Sequence, residues 1–350
     1  GGTHGKTSTS SMIGSLLSQA EMDPTLVVGG LVTNLNTNSL LGSGEIIVVE
    51  ADEFDRSFLQ LRPTLSIITN IELEHTDCYR DLEDLQQAFI QFANSSPFYG
   101  AVILCLDSVG VQEIISEIKR PVITYGLSSQ ATFSANNIEF KKSNSAYTLT
   151  KNRTAVIDIK LQIPGKHNIV NSLAAAALGF EMGISPEIIA AGLGSYGGVR
   201  RRFEIKGISN SILVVDDYAH HPTEVQATLQ AARDGWDKRI IAVFQPHLYS
   251  RTRDFYHEFA AAFMNSDIFI VTDVYPAREL PIKGISGKLV ADAARESGHR
   301  NVHYLPQLDD LPDFLDTVTK PNDMVITLGA GTIWRYGEAY FKHLKNKEMK

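Results

Sequence analysis

The chain has 350 residues, 43% of them hydrophobic, enough to build about two globular domains. Its 32 Lys and Arg against 40 Asp and Glu leave a net charge of −8 spread along the sequence, without the basic stripe that marks a nucleic-acid partner, and no run approaches the ~20 apolar residues of a membrane span. Two cysteines, Cys78 and Cys105, provide no disulfide framework and fit a reducing, cytoplasmic setting.

The first element in the chain is Gly2-Thr3-His4-Gly5-Lys6-Thr7-Ser8, followed by a helical pattern over 7–20. Glycines let a backbone approach phosphate oxygens, and successive N–H groups at a helix N-terminus favour anions. Lys6 adds a charge for the outer phosphates of ATP, and Thr7 a hydroxyl for Mg²⁺. A plain Gly-rich turn is the bland alternative; G-K-T-S entering a helix speaks against it. Such a loop normally follows an apolar strand. None stands before Gly1 here, so the sequence reads as a piece whose N-terminal part lies elsewhere.

Beyond the loop, apolar runs alternate with helical patterns, which predicts parallel sheets. Segments 45–50 (EIIVVE), 64–70 (TLSIITN) and 101–106 (AVILCL) read as buried strands, with a helix over 82–93. From 132 to 163, Thr, Asn and Ser alternate with larger apolar residues, predicting antiparallel hairpins. An Ala-rich helix over 168–183 follows, and Ser185-Pro186-Glu187 starts another. The Gly-rich stretch 192–198 is expected to end a first domain, residues 1–197. Strands over 212–215, 239–244, 268–272, 302–305 and 324–328, with helices such as 224–233 and 252–265 between them, predict a second α/β domain over 198–350 with its own doubly wound sheet.

Polar groups gather where these strands end, the place open α/β sheets bind ligands. Glu50 closes VVE and is suited to hold Mg²⁺ beside the loop, whereas Asp52, Glu53 and Asp55 behind it also read as a solvated acidic turn. After 64–70 come Glu72, Glu74, His75 and Asp77, with His75 either a metal ligand or a surface residue. Asn168 and Asn171 lie one turn apart in PGKHNIVN, suited to adenine edges or to capping. Arg200, Arg201 and Arg202 can reach phosphates or form an exposed basic turn. Asp216, Asp217, Tyr218, His220 and His221 crowd one strand end, His247, Tyr249, Arg251 and Arg253 a second, and TDVYPARE a third.

Taken in order, GTHGKT, EADE, NIE-x-EH-x-D, PGKHN-x-x-N, RRFE, DDYAHHPTE, QPH-x-YSRT, YPARE and GAGTIW resemble the Mur ligases of peptidoglycan synthesis along the whole chain. The resemblance implies a P-loop ATPase domain with a parallel sheet and a small antiparallel section, then a Rossmann-like domain for an amino acid, with the family's N-terminal UDP-sugar domain not among these residues. It implies an ATP- and Mg²⁺-dependent, cytoplasmic bacterial enzyme that joins L-alanine to UDP-N-acetylmuramate through an acyl phosphate. By motif, Gly2, Thr3, His4, Gly5, Lys6, Thr7 and Ser8 would cradle ATP, Thr7 and Glu50 would hold one Mg²⁺, and His75 a second. His167, Asn168 and Asn171 would meet adenine, Asp217 the ribose, and Arg202 a phosphate; Tyr218, His220 and Arg251 would surround the amino acid and the acyl group. Glu74 stands where many relatives have Asp, and Leu248 where some carry Arg, which leaves Arg251 to anchor the carboxylate. Two other readings stay open: a recycling ligase that attaches a tripeptide to the same sugar nucleotide, and a nucleotide-binding module without turnover. Without the UDP-sugar domain, poor turnover is the expectation. The sequence assigns no oligomeric state.

Overall fold

The computed structural model describes residues 1–74 and 78–348. They divide into two units, Gly1–Val199 and Arg200–Lys350.

The first unit opens with α1 (Lys6–Gln19), then β1 (Thr25–Val32), β2 (Thr37–Leu40) and β3 (Ile47–Val49). β4 (Leu65–Ile68), α2 (Leu82–Asn94), β5 (Ala101–Cys105), α3 (Val109–Ile114) and β6 (Val122–Tyr125) follow as strand–helix alternation. β7 (Phe133–Lys141), β8 (Asn144–Lys151) and β9 (Thr154–Leu161) form an antiparallel meander, and α4 (Lys166–Glu181) and α5 (Pro186–Gly194) complete the unit. One sheet has the order β4-β5-β6-β7-β8-β9, parallel over its first four strands. One of its faces packs on α1, α4 and α5 through Leu16, Ile103, Tyr147 and Leu173; the other packs on α2 and α3 through Phe89, Val102 and Val111. The Ala-rich stretch of α4 lets it lie close to the sheet, with Ala174 to Ala177 fully buried.

The expectation of a buried strand over 45–50 is corrected. Only Ile47–Val49 is strand, Ile47 is 62% exposed, and the strand belongs to a separate sheet of order β2-β1-β3. Among the described residues β3 is an edge strand bonded to β1 alone, so an apolar run that could be covered on both sides is covered on one. β1 itself was not foreseen, because Gly29 and Gly30 interrupt its apolar run. Of the Gly-rich stretch 192–198, Gly192 to Gly194 belong to the last turn of α5, and the first unit ends just after the stretch, at Val199.

The second unit comprises β10 (Glu204–Ser209), β11 (Ile212–Asp217), α6 (Pro222–Gly235), β12 (Arg239–Phe244), α7 (Tyr249–Ala262), β13 (Ile268–Val271), α8 (Gly287–Glu296), β14 (Val302–Tyr304), α9 (Leu311–Val318), β15 (Asp323–Leu328) and α10 (Ile333–Glu348). The sheet order is β10-β11-β15-β12-β13-β14, with β10 antiparallel and the rest parallel. β12 and β15 are buried nearly end to end, as befits central strands covered on both faces. α6, α7 and α8 cover one face through Leu229, Phe259 and Val290; α9 and α10 cover the other through Leu315 and Tyr340. The chain leaves β11 for β12 past the position of β15, so the carboxyl ends of β11, β15 and β12 border a topological switch point. No described helix is long and apolar enough to cross a membrane.

Candidate active site

In the first unit the glycine-rich loop is fastened to the carboxyl end of β4. Thr3 N–H donates to Asn70 O (3.1 Å), His4 N–H to Asn70 Oδ1 (2.7 Å), and Thr69 Oγ1 to His4 O (2.6 Å). Thr3 Oγ1 donates to Glu72 O (3.1 Å) and lies 3.0 Å from the Glu72 amide. The glycines are needed where this packing is tightest. Gly2 has φ 130° and a Cβ there would sit 2.1 Å from Thr69 Oγ1; Gly5 has φ 78° and its Cβ would meet Asn171 Oδ1 at 2.7 Å. Gly5 is also the N-cap of α1 and supplies no side-chain cap, so the first-turn amides, Lys6, Thr7 and Ser8 among them, are arranged for an anion.

The loop's side chains are already engaged. Thr7 Oγ1 donates to Glu50 Oε1 (2.8 Å), while Glu50 Oε2 accepts the Gly29 amide (2.6 Å). A hydroxyl and a carboxylate that close together are hard oxygen donors, the set Mg²⁺ prefers, so these two residues fit the metal. Lys6 Nζ contacts Glu53 Oε1 (2.9 Å), Glu53 Oε2 (2.8 Å) and Thr3 O (3.2 Å). Burial pushes the Glu53 carboxyl up despite Lys6; Lys6 is itself disfavoured by burial but raised overall by the Glu53 charge. Glu53 was read within an acidic turn, yet it is 1% exposed, whereas Asp52 and Asp55 on either side are exposed. His4 Nε2 lies 3.5 Å from Glu72 Oε2. His75 and Asp77 fall outside the described residues.

α4 begins beside this loop. Asn168 is buried and donates to Pro164 O (2.7 Å), Asn171 is buried against Gly5, and His167 is half-buried in the first turn. The Asn168 amide is thus used within the fold, and that of Asn171 is packed on the loop.

In the second unit, the β11 tip carries a network. Asp217 is 4% exposed; its Oδ2 accepts the Phe203 amide (2.8 Å) and its Oδ1 the Ala219 amide (2.8 Å). Burial pushes its carboxyl up to about 6, against the opposing pull of Arg202 and these two amides. Glu224 in the first turn of α6 receives Arg202 Nη1 (3.2 Å) and the His220 amide (3.1 Å), with His220 Nδ1 at 3.3 Å. Arg201 reaches Asp216 Oδ2 (3.0 Å) and Gly329 O (2.6 Å). Both arginines lie over the Tyr218 ring, at 4.9 Å and 5.4 Å from its centroid. Beside them, His247 packs on Tyr275 (5.8 Å) and His220 (5.8 Å) and is 3.5 Å from Arg251 Nη1. Burial, with His220 and Arg251 nearby, lowers His247 to about 4, so the ring is neutral at pH 7. The loops after β12 and β13 interlock: Leu248 N–H donates to Tyr275 O (3.0 Å), and Ser250 N–H to Glu279 Oε2 (2.9 Å).

The second unit therefore has Asp217, Tyr218 and His220 at the carboxyl end of β11 and Arg251 after that of β12, as the sequence predicts by position, with Arg202, ahead of β10, reaching Glu224 in α6. Glu224, Arg201 and His247 were not assigned roles; the i, i+4 spacing of His220 and Glu224 was the available signal.

Against known proteins, the Mur ligase middle domain matches residues 1–179, and the Mur ligase glutamate ligase domain matches residues 201–331. A UDP-N-acetylmuramate–L-alanine ligase from Salinibacter ruber is 49% identical over 99% of this chain and 73% of its own length. The crystal structure of the UDP-N-acetylmuramate–alanine ligase of Thermotoga maritima superposes with a TM-score of 0.83 at 26% identity, over 99% of this chain and 74% of that one. A murein peptide ligase from Psychrobacter arcticus gives a TM-score of 0.69 at 25% identity, over 99% and 76%.

Proposed function

This chain belongs to the Mur ligase family, and we propose that it is the ATP-dependent ligase that forms the amide between L-alanine and the lactyl carboxylate of UDP-N-acetylmuramate. The observation that carries the reading is the loop of Gly2 to Ser8 with Thr7 bonded to Glu50, in a chain 49% identical to a ligase of that name.

A carboxylate is a poor acyl donor because its leaving group would be oxide. Phosphorylation by ATP supplies a leaving group, the L-alanine amine attacks the acyl phosphate, and phosphate departs from the tetrahedral centre. The α1 amides and Lys6 bind and orient the phosphates, offsetting charge as the phosphoryl group moves. Thr7 and Glu50 would hold Mg²⁺, which supplies further charge neutralisation at the phosphates. Arg202, held by Glu224, is offered to phosphate; His220 and Arg251 flank the place proposed for the amino acid and acyl group. His247, neutral at pH 7, adds no positive charge beside the Arg251 guanidinium proposed to meet the incoming carboxylate. Adenine contacts by Asn168 or Asn171 and a ribose contact by Asp217 require their present hydrogen bonds or packing to exchange.

The test is ADP release by the purified protein with UDP-N-acetylmuramate and each of L-alanine, L-serine, glycine and L-alanyl-γ-D-glutamyl-meso-diaminopimelate. L-alanine is expected to give the highest kcat/KM. Preference for the tripeptide would replace the proposal with the recycling ligase, and nucleotide binding without release under any acceptor would favour a non-catalytic module.

A further inference from the structure

The Lys6–Glu53 contact is built more elaborately than a chance ion pair. Both carboxylate oxygens face Nζ, at 2.9 Å and 2.8 Å, and the Thr3 carbonyl takes a third position at 3.2 Å. An ammonium has three donors, so these three oxygens match its capacity. Glu53 is itself positioned, since the Tyr79 hydroxyl, on a residue 1% exposed, donates to the Glu53 carbonyl at 2.6 Å. Arg56 lies 4.7 Å from the Tyr79 ring centroid and pairs with Asp84 at 2.6 Å, so the segment carrying Glu53 is tied to α2. The ligation chemistry needs Lys6 on the outer phosphates, and a lysine saturated by a buried carboxylate has to exchange partners to reach them.

We propose that Glu53 is the resting counter-ion of Lys6, holding the ammonium in the loop until the outer phosphates of the nucleotide take it over. Glu53 is thus a positioning residue that competes with phosphate, and the inference rests on the nucleotide-binding part of the function proposed above. The sign of its effect follows. Removing the Glu53 charge destabilises Lys6 in the free protein, where a buried cation loses its partner. It destabilises the ATP complex less, because phosphate supplies the charge there. The gap between free and bound states widens, and ATP binds more tightly.

Equilibrium binding of ATP and of AMP, each with Mg²⁺, to wild type and Glu53→Gln decides the matter. AMP has no outer phosphate for Lys6 to reach. The expected result is about tenfold tighter ATP binding, equivalent to ~1.4 kcal/mol, with AMP unchanged and the KM for ATP lowered without a rise in kcat. Equal weakening of both nucleotides would mean that Glu53 only supports the fold, and an unchanged ATP-to-AMP ratio would mean that Lys6 keeps Glu53 when phosphate is bound; each overturns the proposal. In a Lys6→Met background Glu53→Gln is expected to change nothing. ATP tightening that persists there would trace the effect to direct repulsion between carboxylate and phosphate, and would overturn it too. If the Gln variant does not fold, Glu53→Asp keeps the charge on a shorter stem and is expected to raise the same ratio by a smaller factor; a ratio that stays flat or falls overturns the proposal. Wild type that binds ATP but releases no ADP with L-alanine would sink the ligase reading and leave this one standing.

Discussion

Lys6 in the first unit and Arg202 in the second are the two cations proposed above to meet phosphate, and a glutamate holds each of them in a different way. The partner of Lys6 is 47 residues away in sequence and buried, and it faces the ammonium with both oxygens. The partner of Arg202 lies in the first turn of the helix after the same strand tip, meets one nitrogen at 3.2 Å, and shares its other oxygen with His220. A guanidinium has five donors in a rigid fork, so it can keep one carboxylate and take a second oxyanion. An ammonium with three occupied donors has to let go. Under the proposed roles, phosphate binding would be an exchange in the first unit and an addition in the second.

The comparison can be broken most directly at Lys6. Lys6→Met is expected to lower kcat/KM at least about 10³-fold, roughly 4 kcal/mol of transition-state stabilisation, in steady-state ADP release; a loss below tenfold would remove Lys6 from the chemistry. Glu224→Gln sharpens the contrast, because here the acid supports the cation and does not compete for it. A tenfold fall in kcat/KM, about 1.4 kcal/mol, is expected, opposite in direction to the effect of Glu53→Gln on ATP binding. If Glu224→Gln also tightened ATP binding, the two pairs would be the same device. Tyr79→Phe leaves the Glu53 carbonyl without its 2.6 Å donor in a buried site and is expected to cost about 1–2 kcal/mol in urea unfolding. An unchanged midpoint would show that Glu53 needs no such support.

The smallest expected effect is a pH dependence. His247 is lowered from 6.5 to about 4, so the folded state favours the neutral ring. That stabilisation is fully present above pH 6.5 and is lost as pH falls toward 4. Because the ring is partly exposed, about 1 kcal/mol is a fair discounted size. His247→Gln is expected to flatten this slope in urea midpoints measured from pH 7 to 4.5. Asp217 works in the opposite sense: raised from 3.8 to about 6, it contributes stability that is present below 3.8 and lost as pH rises through 6. Because His299 and His303 of the same unit are also lowered by burial, the slope is expected to flatten and not to reverse, and a midpoint falling as steeply as in wild type would remove His247 from the account.

Much of the scaffold is legible in the sequence because its signals are local. G-K-T-S at a helix start, apolar runs of strand length, and Pro222 at the first position of α6 each act within a few residues. The strand-end clusters of the second unit follow from the same logic, since an alternating strand–helix pattern delivers whatever closes each strand to one edge of the sheet. β3 failed the same reading because composition records what a strand could bury and not what lies beside it.

By itself the sequence determined the phosphate loop, the two α/β units and the family, all of which rest on short contiguous patterns. Only the tertiary structure decided which acid meets which cation. Glu50, Asp52, Glu53 and Asp55 are nearly alike as chemistry within six residues of chain. The fold points Glu50 at Thr7, buries Glu53 on Lys6 and leaves Asp52 and Asp55 in water. Burial is what separates them: a carboxylate in solvent is screened, whereas one taken out of water needs a partner and so takes on a specific role.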